Sequence, residues 1–205
     1  FDYLLGERTT TSALQATRQA LATLQAAKKP VLSINGNVAA LACDEMLRLA
    51  NALSCAVEVN IFYRTPERMK AILDHMNERK HVLGLEVPVL GHAPDARIPG
   101  LEGPRAACHR DGILESDAIL VPLEDGDRCQ ALVAMGKEVI VIDLNPLSRS
   151  AQQATITIVD ELSRALGNML DFTASEGTLE VDSDYNHIAV LEEGVNEMLN
   201  AFKRP

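Results

Sequence analysis

Apolar positions along the chain recur in two alternating periods. Over residues 11–28 they return at helical spacing (Leu14, Leu21, Leu24), and Pro30 then opens the short run VLSIN, the pattern of a helix followed by a buried strand. Asn37 predicts an N-cap for a helix over 38–53, after which CAVEVNIF is short, β-branched and bounded by polar residues, as strands buried on both faces are. Thr65, Pro66 and Glu67 supply an N-cap, a proline at the first helical position and an acid in the first turn, predicting a helix to about Arg79. Further strands are expected at HVLGLE from His81, DAILVP from Asp117, KEVIVID from Lys137 and ATITIV from Ala154, with a helix over 125–135. Residues 160–170 and 187–202 read as closing helices, the second with Ile188, Leu191, Val195 and Leu199 on one face.

Strands separated by helices imply a parallel sheet with right-handed crossovers and ligands at the carboxyl ends of the strands. The predicted fold class is α/β: a three-layer Rossmann-like parallel sheet with helices on both faces and a C-terminal helical tail. Residues 1–178 are expected to form the Rossmann-like domain and 179–205 an acidic helical extension suited to a partner subunit, with linker composition near 175–184. Residues 84–112 hold 4 of the 9 prolines and 5 of the 12 glycines, with Arg97, Arg105, Arg110, His92 and His109 interspersed. Loops of this length are usually functional or disordered.

Composition narrows the classes. A chain of 205 residues, 47% apolar and 23% charged, suits one soluble globular core, and no apolar run approaches the ~18 residues that cross a bilayer. Of the net charge of −10, residues 171–205 carry −6 through 8 acidic and 2 basic side chains. A general nucleic-acid surface needs a dominant basic face, so neither nucleic acid nor membrane is an expected partner. The cysteines Cys43, Cys55, Cys108 and Cys129 form no C-x-x-C pair and no signal peptide precedes them, which points to the cytoplasm and to buried apolar packing. The chain opens on Phe1 with a half-apolar segment, predicting a missing upstream segment.

Four strand ends carry candidate chemistry. In INGNVAA, the turn Asn35, Gly36 and Asn37 lets backbone approach a ligand and caps a helix whose free N–H groups attract anions, although the same residues suit a plain βα turn. In NIFYRTPER, Tyr63 and Arg64 follow a strand, where a guanidinium can grip a phosphate with paired hydrogen bonds or simply pair with Glu67. In PLEDGDR, Glu124, Asp125 and Asp127 can bind Mg²⁺ through water, receive an amine, or only begin a helix favourably beside Arg128. In IDLNPLSRS, Asp143 sits where a nucleotide ribose is commonly bound, with Asn145, Arg149 and Ser150 as further polar contacts or as parts of a polar loop. There is no phosphate-loop signature, no G-x-S-x-G elbow and no H-E-x-x-H, and the five histidines lack ligand spacing; no protein-held metal site is expected.

Taken in order, FDYLLGERTT, SINGNVAAL, VEVNIFYRTPER, IPGLEGPR, ILVPLEDGDR, IDLNPLSRSA and TITIVDELSRALGNM resemble the archaeal phosphopantothenate synthetases, or 4-phosphopantoate:β-alanine ligases, over residues 1 to about 170. The resemblance implies ATP-dependent joining of 4-phosphopantoate to β-alanine, giving 4'-phosphopantothenate, AMP and pyrophosphate in coenzyme A synthesis, by a cytoplasmic homodimer. It places ATP contacts on Asp143, Leu144, Asn145, Arg149, Ser150, Glu161 and Leu162. The family usually has asparagine where this chain has Glu161, and it has an N-terminal region of roughly 40 residues or more, beyond the start of this sequence, whose arginines contact ATP. With that implied chemistry, Asn35, Gly36, Asn37, Tyr63 and Arg64 are expected to bind phosphopantoate, while Arg64 and Arg149 offset charge at phosphorus together with Mg²⁺. Asp125 or Asp127 is expected to attract the β-alanine amine and help remove its proton. The competing reading is a nucleotide-binding dimerisation module that has lost ligation with its N-terminal segment; a third is the same scaffold acting on another phosphorylated hydroxy acid.

Overall fold

A computed structural model describes residues 1–201. Six parallel strands make one sheet: β1 (Pro30–Ile34), β2 (Ala56–Val59), β3 (Val89–Leu90), β6 (Ala118–Leu120), β7 (Glu138–Ile142) and β8 (Ile156–Ile158), in the spatial order β3-β2-β1-β6-β7-β8. Two short strands, β4 (Ala96–Arg97) and β5 (Ala107–Cys108), pair antiparallel outside it. The helices are α1 (Asp2–Leu5), α2 (Thr11–Ala26), α3 (Gly36–Leu41), α4 (Cys43–Ala52), α5 (Pro66–Leu83), α6 (Gly126–Ala134), α7 (Arg149–Gln153), α8 (Leu162–Ser175) and α9 (His187–Asn200). The order reverses between β1 and β6, the switch point at which doubly wound sheets open a crevice above their carboxyl ends.

Strand side chains alternate between two cores. Leu32, Ile34, Val57, Val59, Leu120, Ile140 and Ile142 face one layer with α2, α4, α5 and α8, whereas Val31, Ile119, Val139 and Val141 face the other. On that second face α6 supplies Cys129 and Leu132, and the proline- and glycine-rich segment supplies Ile98, Cys108 and Ile113. The long loop therefore builds half a layer. Its fastening is polar: Glu58, buried on β2, accepts from the backbone N–H groups of His109 (2.9 Å) and Ile113 (2.8 Å), and Lys137 Nζ donates to the carbonyls of Leu114 and Ser116.

Three local expectations change. The helix after β1 starts at Gly36, not Val38, because the Oδ1 of Asn35 is the cap, and it breaks at Ala42 (φ −148°) into α3 and α4. The predicted strand at HVLGLE is instead the last turn of α5, which continues past Arg79 and stops on Gly84 at φ 65°, a left-handed position suited to glycine; the strand lies at Val89–Leu90. Finally, α9 buries Val190, Leu191 and Gly194, and leaves Ile188 and Leu199 exposed. A Cβ on Gly194 would already sit 3.3 Å from Val159 Cγ1, so the helix approaches on its glycine side. The part of that predicted helix at Phe202 lies outside the described residues.

Between α8 and α9 the chain runs as a strap along α2. Gln25 donates to the Gly177 carbonyl (2.8 Å) and accepts from Leu179 N–H (2.8 Å), and Gln19 does the same at Asp182 (3.2 and 2.9 Å). Two glutamines thus stand in for a neighbouring strand's backbone.

Candidate active site

At the switch point the Asn35 amide joins the two halves of the sheet. Its Oδ1 accepts from Asn37 and Val38 N–H (both 3.0 Å), and its Nδ2 donates to the carbonyls of Pro122 (3.0 Å) and Leu123 (3.1 Å) beyond β6. Two of the N–H groups expected to be free for an anion are therefore already accepted by the cap, and α3 is only six residues long. What the turn offers is a wall. Asn35, Gly36 and Asn37, with Tyr63, Phe62, Arg68 and Arg105, line a recess of 160 Å³.

Arg64 does not enter that recess. Its Nη2 donates to the Gly91 carbonyl (2.5 Å), and its side chain lines a separate 630 Å³ groove with Lys70 and His92. Arg68, four residues on and in the first turn of α5, takes the position over Gly36. Sequence reasoning missed it, although a helix that begins at Pro66 puts Arg68 in its first turn, beside the strand ends.

A second recess of 280 Å³ adjoins the first and shares Phe62 and Arg105 with it; Glu102, Asp125, Asp127 and Arg128 complete its walls. The acidic run that could bind Mg²⁺ through water, receive an amine or only begin a helix divides here. Glu124 is 1% exposed and its oxygens receive Arg105 (2.5 and 2.6 Å), Arg128 (2.5 Å) and the N–H of Asp125 (2.8 Å). Burial pushes its pKa up, but two guanidiniums accommodate the ionised form, and no coordination site is left for a metal. Arg128, 0% exposed, also reaches Ser33 Oγ (3.1 Å). Among the described residues no three His, Cys, Asp or Glu side chains cluster as metal ligands.

Asp125 caps α6 by accepting from Arg128 N–H (2.9 Å) and pairs with Arg105 (2.8 Å). Burial raises its pKa, the hydrogen bond from Arg128 and the Arg105 charge outweigh that, and the net shift is downward. Asp127 meets Arg149 at 2.5 Å, both side chains about 70% exposed (70% and 68%). Exposed pairs of this kind are weak, so Arg149 is exchangeable. Arg105 itself comes from the long loop and is aimed by Asn60, which donates to the carbonyls of Arg105 (3.2 Å) and Ala107 (3.0 Å). The lone asparagine in the otherwise apolar run after β2 was the available signal for that role.

Beyond β7, Asp143 accepts from Asn145 N–H (2.9 Å), Ser148 Oγ (2.5 Å) and Ser150 Oγ (2.9 Å), and so shapes the loop that ends in the Ser148 cap of α7. Leu144 packs against a small apolar cluster, and Ser150 is buried. Beyond β8, Glu161 caps α8, its carboxylate accepting from Ser163 (2.9 Å) and Arg164 (3.1 Å) N–H. Its charge is spent on its own helix, and the Leu162 side chain is in the core, which leaves backbone as what Leu162 can offer. Asp160 is buried and gathers Thr9 Oγ1 (2.6 Å) and Arg164 (2.8 Å), and Arg164 pairs in turn with Asp2.

The structure therefore brings Asn35, Gly36, Asn37 and Tyr63 into one recess, Asp125 and Asp127 into the next with Arg149 at its rim, and Asp143, Leu144, Asn145 and Ser150 into an adjoining loop. Residues 12–201 match the family model described as phosphopantothenate/pantothenate synthetase. The chain is 46% identical to a 4-phosphopantoate–beta-alanine ligase of Methanosarcina mazei, over 99% of this chain and 80% of that protein. It is 53% identical to one of Thermococcus onnurineus, over 83% of this chain and 64% of the relative. Among solved structures, a universal stress protein in complex with cAMP covers 57% of this chain and 97% of its own at 19% identity and a TM-score of 0.32, too remote to bear on the site.

Proposed function

This chain belongs to the phosphopantothenate/pantothenate synthetase family, and from that premise we propose that it condenses 4-phosphopantoate with β-alanine at the expense of ATP. The observation that carries the reading is the pair of adjoining recesses at the switch point, one lined by arginines and no carboxylate, the other by three carboxylates, with Phe62 and Arg105 common to both. An anionic acid and a cationic amine each find opposite charge there, a few side chains apart.

In the proposed reaction the phosphopantoate carboxylate attacks the α-phosphorus of ATP, an acyl-adenylate forms and pyrophosphate leaves. The amine of β-alanine then attacks the acyl carbon, forming the amide bond, and AMP departs. Phosphopantoate occupies the first recess against Asn35, Gly36, Asn37 and Tyr63. ATP lies along the strand ends of β7 and β8, against the loop 143–150 and the start of α8. Orienting carboxylate and phosphate in one crevice replaces a bimolecular encounter with an effectively intramolecular one. Arg149 leaves its exposed pair with Asp127 for the triphosphate, which frees Asp127 to face the amine. Alkyl ammonium groups have a pKa of roughly 10, so β-alanine enters charged. Asp125, its pKa held down, supplies attraction; Asp127 at the rim relays the proton. Arg64, turned to Gly91, acts at this site only if its side chain swings across the mouth of α5.

Magnesium accompanies the triphosphate in this reading, as Mg²⁺ commonly binds through substrate phosphates and one or two carboxylates. Cytoplasmic location and a homodimer complete the proposal; among the described residues no helix is long and apolar enough to cross a membrane. Mass spectrometry of the chain incubated with ATP, Mg²⁺, 4-phosphopantoate and β-alanine tests it. A product at the mass of 4'-phosphopantothenate that requires all three organic substrates is expected; its absence with both acids present, or formation of pantothenate from unphosphorylated pantoate at an equal rate, counts against the assignment.

A further inference from the structure

The geometry points to Arg68 as the residue that grips the substrate's phosphomonoester and so makes the recess select a phosphorylated acid. The inference rests on the ligase reading and names a residue which that reading leaves unassigned. Most arginines near the sheet ends are already matched: Arg105 with Glu124 and Asp125, Arg128 with Glu124, Arg149 with Asp127, Arg164 with Asp2 and Asp160. Arg68 forms no ion pair among the described residues. Its guanidinium instead lies across the Gly36 turn and over the Tyr63 ring, 5.9 Å from the centroid.

Gly36 makes that position possible. A Cβ there would stand 2.9 Å from Arg68 Nη2, so any larger residue displaces the guanidinium and little else. A planar donor set held on an aromatic face at the lip of a carboxylate-free recess fits a phosphate dianion, which takes two parallel N–H···O bonds from one guanidinium. The recess measures 160 Å³, well below the ~300 Å³ at which pockets begin to enclose a whole drug-sized ligand, so it accommodates a head group. The remainder of the acid then extends past Phe62 toward Arg105 and the acidic recess, where its carboxylate and the amine are to meet.

Both phosphopantoate and ATP present phosphoryl groups, and the test separates them. Titration calorimetry of 4-phosphopantoate, pantoate and ATP, each alone, against the unaltered chain, Arg68→Ala, Arg68→Lys and Gly36→Ala gives the answer, with thermal melts confirming that each variant folds. The expected result is a loss of about tenfold or more in phosphopantoate affinity for Arg68→Ala, a smaller loss for Arg68→Lys and for Gly36→Ala, and pantoate and ATP affinities unchanged within about twofold. Unchanged phosphopantoate affinity in Arg68→Ala, an equal loss for pantoate, or a loss confined to ATP overturns the assignment of Arg68 and leaves the ligase reading standing. An unaltered chain that binds ATP but neither acid overturns both.

Discussion

The two sides of the switch point are built on opposite plans. On the β1–β2 side, Asn37, Phe62, Tyr63 and Arg68 stand open, with Phe62 58% and Tyr63 68% exposed and with the guanidinium matched to no carboxylate among the described residues. On the β6–β8 side almost every polar group is already bonded to protein: Glu124 to two arginines, Asp143 to two serines and a backbone N–H, Asp160 to Thr9 and Arg164, Glu161 to its own helix. Open polar groups cost little while solvated and remain available to a ligand. Locked ones fix the shape of the crevice, and only the weak Asp127–Arg149 pair on that side is easily surrendered. Under the proposed function the small acid takes the open side and the nucleotide the preorganised one.

The sharpest way to break that contrast is at Glu124. Glu124→Ala strands the fully buried Arg128, and removing one partner of a buried pair costs about 3–5 kcal/mol, read as a large drop in melting temperature; Arg68→Ala, on the open side, should shift stability by no more than about 0.5 kcal/mol. Should the two variants melt alike, the division fails. Next in size, Gly126→Ala places a Cβ 2.5 Å from Arg149 Cβ and 3.2 Å from its backbone carbon, an overpacking that costs about 1–3 kcal/mol in denaturant unfolding, whereas Gly36→Ala meets only a movable guanidinium and should leave the denaturation midpoint unchanged.

Asp143→Ala releases Ser148, Ser150 and the Asn145 N–H together, and so tests whether the locked side serves the nucleotide. ATP binding should weaken by about tenfold, of the order of one charged hydrogen bond, with phosphopantoate affinity within about twofold; equal losses for both ligands would contradict the assignment.

The smallest effect concerns pH. Burial holds the His187 pKa below its ordinary value while Nε2 contacts Thr157 Oγ1 at 3.0 Å. A histidine that resists protonation only when folded stabilises the native state fully above the unfolded pKa of ~6.5, and that contribution is lost as pH falls through it, because the unfolded chain then binds the extra proton. His187→Asn should flatten this part of the stability profile; a slope unchanged between about pH 7 and 5 would show that His187 is not its source.

Much of the architecture was legible because strand and helix periods differ: the runs at 30–34, 138–142 and 156–158 are short, mostly apolar and rich in β-branched residues, and Thr65, Pro66 and Asp125 announce their helices outright. The failures have local causes. His81, Val82 and Leu83 suit the end of a helix as well as the start of a strand, and only the left-handed Gly84 decides between them. Asn35 and Asn37 flank the same glycine, and the first wins the cap because its amide also reaches the carbonyls beyond β6, a contact 87 residues away in sequence. In the site, residues directly after strands were findable from pattern. The pairing of Arg105 with Asn60 was not, since it crosses 45 residues, and Arg68 was hidden by Arg64, which the strand-end rule favours but which precedes α5 and turns toward Gly91.

The most direct test of the central claim is to follow nucleotide products by chromatography while ATP and Mg²⁺ are supplied with 4-phosphopantoate and β-alanine, omitting each acid in turn. The account predicts sustained AMP release only when both are present. ADP as the nucleotide product, or ATP bound with no AMP formed under any combination, would contradict it.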